Sequence, residues 1–75
     1  MTDELIQFAE KSITAYLAAS PGSADTIEGI HRWWIHWSGP EPLFTVTEAA
    51  LSNLQQAEKI TQVQIGNRQL WRLPR

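Results

Sequence analysis

No cysteine occurs in these 75 residues, which removes a disulfide framework and a thiolate metal site together. Long apolar runs are missing as well: no stretch approaches the roughly 18 residues that a membrane-spanning helix needs. Asp3 and Glu4 stand where a secretory leader would carry positive charge, so the expected compartment is the cytoplasm. The four glycines, Gly22, Gly29, Gly39 and Gly66, are isolated, and no phosphate-cradling loop is spelled. No serine sits beside a histidine in a nucleophile motif. His31 and His36 are five positions apart and do not share a helical face, while Glu28 and His31 supply two ligands without a third. His31 is therefore expected as a surface or helix-pairing residue and His36 as a boundary residue. No catalytic residue, metal, cofactor or small-molecule substrate is expected, and the chain does not read as an enzyme.

Charge is scarce too, at 19% of residues, with a net charge of −2 and a pI near 5.5. That balance argues against nonspecific polyanion binding, although it leaves room for a local basic patch. Residues 1–30 hold Asp3, Glu4, Glu10, Asp25 and Glu28 against Lys11 alone. Residues 31–75 hold Arg32, Lys59, Arg68, Arg72 and Arg75 against Glu41, Glu48 and Glu58, so the second half is mildly basic. The length allows one domain, residues 1–75, with a modest core that gains from close helix packing or from a partner.

What the chain has is tryptophan. Three of its four fall within the stretch DTIEGIHRWWIHW, Asp25 to Trp37. A first helix is expected over 3–19, with Leu5, Ile6, Ala9, Ile13, Tyr16 and Leu17 on one side and Glu10, Lys11 and Thr14 facing away. Phe8 falls off that stripe, as a rim residue over the core edge or as a partner contact. Ser20, Pro21 and Gly22 stop the helix. A second helix is expected over 25–36, capped by Asp25 with Glu28 at the reciprocal position. Ile27, Ile30, Trp34 and Trp37 then recur at helical spacing. Gly29 would admit another helix, with Trp33 covering the gap. Trp34 is expected in the core against Leu54 and Ile13, whereas Trp33 and Trp37 suit an exposed face as well as the core.

Ser38 to Pro42 breaks the chain. Thr45 and Glu48 then read as a capping pair opening a third helix over 46–58, with Val46, Ala50, Leu51, Leu54 and Ala57 inward. Thr47, Glu48, Ser52, Asn53, Gln55, Gln56 and Lys59 would face mostly outward. After Ile60 the period becomes two, and Gly66-Asn67 supplies turn chemistry for a hairpin over 60–73. A two-residue turn would pair Ile65 with Arg68 and Val63 with Leu70. A three-residue loop would pair Val63 with Trp71 and Thr61 with Leu73. The second register is preferred because it gathers the larger apolar side chains on one face. Pro74 ends the strand and Arg75 is expected to fray.

Three helices followed by a hairpin resemble the winged helix-turn-helix superfamily across nearly the whole chain, an α+β fold. Thr47, Ala50, Leu51 and Leu54 take the positions of its third helix, Ile60 the exit into the strand, and Gly66-Asn67 the wing tip. The chain is also similar to small uncharacterised bacterial winged-helix-like proteins with an acidic, glycine and double-tryptophan helix start. Two departures stand out: the link from Trp37 to Phe44 is stretched where a DNA reader has a tight turn, and Glu58 stands where a glycine commonly follows the third helix.

Two functions fit that scaffold. In the first, the chain is a protein-interaction or assembly module, binding a protein partner or a second copy through Phe8, Arg32, Trp33, Trp37 and Phe44. Trp and Arg are the side chains that most often dominate such contacts. In the alternative, it is a transcriptional regulator that binds double-stranded DNA. Asn53, Gln55 and Gln56 would then read base edges, with Lys59, Arg68 and Arg72 on phosphates. Glu48, Glu58 and the acidic pI weigh against that alternative.

Overall fold

The computed structural model describes residues 2–74; Arg75 lies outside the described residues. The first helix, α1 (Thr2–Ala19), buries Ala9, Ile13 and Leu17 at intervals of four. Asp3 and Glu4 occupy its first turn, where the helix dipole favours negative charge. Leu5 and Tyr16, expected on the inner stripe, flank it and stay exposed. Beyond Ala19 a turn forms, with Ser20 N–H donating to the Tyr16 carbonyl at 2.9 Å and Ser23 N–H to the Ser20 carbonyl at 3.0 Å.

The next element corrects the expected start of the second helix. Asp25 is not its cap; with Ala24 it forms a short strand, β1 (Ala24–Asp25). Two residues are too few to print an alternating pattern, so the strand is invisible to periodicity. Thr26 caps instead, its hydroxyl accepting from the Gly29 amide at 3.3 Å. The Asp25 carboxylate accepts from the Thr26 amide at 2.7 Å. A Cβ added at Gly29 would overlap that carboxylate. The glycine therefore admits the Asp25 side chain, not another helix, and Trp33 covers no gap but stays 72% exposed.

The second helix, α2, is composite. An α-helical turn, Ile27–Gly29, runs into a π-helical turn, Ile30–Trp34. It ends before the expected limit of 36, because Ile35 is extended (φ −109°, ψ 123°) and buried in the core. Trp37 therefore lies outside the helix, in the link of residues 35–43.

The third helix, α3 (Phe44–Gln56), also starts earlier than its capping signature indicates. Leu43 is the N-cap residue, with no side-chain cap, and Thr45 lies inside the helix. Packing of the Phe44 ring on His31 draws Phe44 into the first turn and overrides the local Thr45–Glu48 signal. Val46, Ala50, Leu51 and Leu54 are buried as expected; Ala57 is exposed, and Thr47 is fully buried instead of facing out.

At the C-terminal end of α3, Lys59 N–H donates to the Leu54 carbonyl (2.9 Å) and Glu58 N–H to the Gln55 carbonyl (3.0 Å). This is a Schellman closure with Glu58 as its left-handed residue, at φ +60°. A side chain in that conformation costs about 1–2 kcal/mol, and the negative charge sits at the unfavourable end of the helix dipole. Glu58→Gly is expected to raise stability by about 1 kcal/mol, after allowing for the larger entropy a glycine loses on folding. In a domain of this size that is a rise in Tm of about 4–8 °C, read by thermal denaturation followed by circular dichroism.

β2 (Thr61–Ile65) and β3 (Arg68–Arg72) form the expected hairpin in the other of the two registers. Ile65 pairs with Arg68, Val63 with Leu70 and Gln62 with Trp71, not Val63 with Trp71. Turn chemistry decides it. Gly66 takes φ +61° while Asn67 does not enter positive φ, the pattern of a two-residue type II′ turn. The larger apolar residues need not share a face, because Trp71 and Leu73 pack onto the helical core while Val63 and Leu70 lie on the opposite face of the sheet. β1 pairs antiparallel with β3, Asp25 opposite Trp71, giving the order β1-β3-β2.

Ala9, Ile13 and Leu17 of α1 meet Ile30 and Trp34 of α2, Ile35, and Ala50, Leu51, Leu54 and Ile60 in one core cluster. Three helices packed beside a small antiparallel sheet make a winged helix-turn-helix-like α+β topology. The sheet has three strands where a hairpin alone was expected.

Candidate functional site

The stretched link between α2 and α3 is tied down at its start, middle and end. Ile35 enters the core. The Trp37 indole N–H donates to the His31 carbonyl at 3.0 Å. The Pro42 carbonyl lies 2.9 Å from His31 Nε2. Two of these ties run through His31, which is completely buried. Its other ring nitrogen, Nδ1, is 2.6 Å from the Thr47 hydroxyl. A carbonyl can only accept, so Nε2 carries the hydrogen, and in the neutral ring Nδ1 accepts from Thr47. The Glu41 carboxylate, 3.6 Å from Nε2, is too distant for a hydrogen bond.

Around this histidine the aromatic side chains form a continuous row. Phe8 of α1 is 5.9 Å from Trp37, and Trp37 is 5.2 Å from His31. His31 meets Phe44 edge-on at 4.5 Å, and the Arg32 guanidinium lies 5.7 Å from the Phe44 ring centroid. These separations are those of favourable aromatic and cation–π contacts. Of the five residues expected to contact protein, four thus fall in one row. Trp33 is not joined to it by any ring contact; it is the most exposed tryptophan, since Trp34 is buried and stacked on Tyr16 at 4.5 Å. Leu5, Phe8 and Trp37 also line a groove of about 620 Å³ with residues 38–42 of the link.

The residues expected on DNA are more scattered. The Asn53 side-chain amide donates to the Glu10 carboxylate of α1 at 2.9 Å. Gln55 and Gln56 are exposed on α3. Lys59 lies against α1, sharing a pocket with Thr14, Ala18 and Leu73. Arg68 is beside the wing tip, across a shallow pocket from Thr26 and Glu28. Arg72 is half-buried in the central strand, and its Nε has no hydrogen-bond partner among the described residues. Neither Lys nor Arg occurs within α3.

His31 and Thr47 are the two residues that the sequence reading undervalued. The signal was present in both cases. His31 is four residues after Ile27 and three before Trp34; Thr47 is three before Ala50 and four before Leu51. Both therefore fall on their helices' inner stripes, and their polarity alone argued them outward. No group of three or more His, Asp or Glu side chains among the described residues is placed to hold a metal ion. No helix among the described residues is long and apolar enough to cross a membrane. Compared with protein-family models, curated proteins and solved structures, the chain gives no match.

Proposed function

We propose that this chain is a non-catalytic protein-interaction module on a winged-helix scaffold. It engages a protein partner through the exposed Phe8, Arg32 and Trp33 together with the half-buried Trp37 and Phe44. One observation carries the reading: the ring-to-ring row that crosses α1, the link and α3 around His31. A DNA reader lays its third helix in the major groove, where acidic side chains are repelled by the phosphates and nearby cations hold the backbone. Here the exposed positions of α3 are Thr45, Glu48, Ser52, Asn53, Gln55 and Gln56, which carry one acid and no cation.

The test has two arms. Titration with mixed-sequence duplex DNA between about 50 and 200 mM salt is expected to show no binding; phosphate neutralisation would instead give a steep salt dependence. A protein partner identified by capture and then titrated directly is expected to bind with little salt dependence. Trp33→Ala, which removes an exposed indole and leaves the fold intact, should weaken that complex by roughly 30-fold or more, the loss of about 2 kcal/mol that marks an interface hot spot. Salt-sensitive duplex binding lost in Lys59→Ala and Arg68→Ala would overturn the reading in favour of the DNA alternative.

A further inference from the structure

The two outer strands of the sheet are unequal. β1 is two residues long, and a short edge offers little backbone to a second chain. β2 is an edge strand of five residues, Thr61-Gln62-Val63-Gln64-Ile65, with no charge, no proline and an unbroken register against β3. It lacks the devices by which natural sheets protect an edge. Ile65 is 60% exposed at its end.

The register shows which backbone groups of β2 are free. A two-residue turn closes on a hydrogen-bonded pair, here Ile65 with Arg68. Hydrogen-bonded pairs then alternate along an antiparallel ladder and recur at Val63–Leu70 and Thr61–Arg72. The N–H and C=O groups of Gln62 and Gln64 therefore point away from β3. No backbone hydrogen bond outside the helices and sheet engages either residue among the described residues.

We propose that this edge pairs antiparallel with the same edge of a second copy, centred on Val63, to give one continuous sheet of order β1-β3-β2-β2-β3-β1. That register sets Gln62 opposite the partner's Gln64 and uses both outward-pointing residues of each strand. Val63 meets its own equivalent in a non-hydrogen-bonded pair, where side chains approach closest. Thr61 faces the partner's Ile65, so the exposed isoleucine gains a neighbour. Lys59 would stand level with the partner's Asn67, and Arg68 and Arg72 remain one strand away on β3, so no like charges oppose each other. The interaction is closed, because pairing through β2 consumes the long edge and leaves only the short ones.

The absence of native cysteine makes the register directly testable by cross-linking. Sedimentation at micromolar to millimolar concentration is expected to show a dimer. Gln64→Pro removes an outward N–H without touching the β3 ladder, and should shift the protein to monomer while its circular dichroism stays native. Val63→Cys, oxidised with glutathione disulfide, should cross-link roughly tenfold faster than Thr61→Cys or Gln62→Cys. Only the central position brings identical residues within disulfide reach. A monomer throughout that range would overturn the proposal. So would a dimer indifferent to Gln64→Pro, equal cross-linking at all three positions, or open-ended assembly. A dimer that persists in Gln64→Pro and dissociates in Trp33→Ala would assign self-association to the aromatic surface instead.

Discussion

Trp34→Ala is expected to be among the most destabilising single substitutions in the chain, at about 3–6 kcal/mol. The indole is 4% exposed, sits in one cluster with Ile13, Leu51 and Leu54, and is stacked on Tyr16 with an interplanar angle of 10°. Truncating a buried tryptophan typically costs about 3–5 kcal/mol, and the lost stack adds about 0.5–1.5 kcal/mol. A domain of this length has a total stability of about 4–11 kcal/mol, so one substitution removes from about a third of it to all of it. Trp33→Ala, one residue away, should fall within about 0.5 kcal/mol of the parent, as surface changes usually do. Urea denaturation of the two variants under one set of conditions is the measurement. A difference below about 1 kcal/mol between them would show that the π-helical turn does not fix which indole faces the core.

That contrast also shows what was legible beforehand. Period and punctuation located the helices, because Ile6, Ala9, Ile13 and Leu17, or Ala50, Leu51 and Leu54, share one face of a helix but not one face of a strand. The hairpin was legible through Gly66-Asn67, and so was its true register, which the backbone of the turn favoured and the size of Trp71 argued against. What was hidden depends on contacts far apart in sequence. β1 exists only because β3 is there to pair with it, and Phe44 joins α3 because His31 is there to receive it. Leu43 and Ile65, exposed in this fold, carry no local mark that distinguishes them from Leu51 and Ile60, which are buried. The candidate surface was half legible. Its aromatics were chosen by type, but their alignment is set by a link whose course only the tertiary structure defines.

His31 sets that course, and His31→Ala is expected to cost about 3–5 kcal/mol. The change empties a fully buried site between Phe44 and Trp37. It also strands the Thr47 hydroxyl and the Pro42 carbonyl, each left without its partner at about 1–3 kcal/mol. Thr47→Val removes only one hydrogen bond and should cost about 1–3 kcal/mol, since it leaves Nδ1 buried and unpaired. A double-mutant cycle between His31→Phe and Thr47→Val isolates their interaction, expected at about 1–2 kcal/mol. The cycle is informative because phenylalanine preserves the aromatic row while breaking both side-chain hydrogen bonds. The geometry makes a spectroscopic prediction as well. With Pro42 as an obligate acceptor, nitrogen NMR of the native protein should show a hydrogen on Nε2. A coupling near zero would mean that Thr47 does not hold the ring, and a hydrogen found on Nδ1 alone would mean that the Pro42 bond is not made and that the link is held by packing.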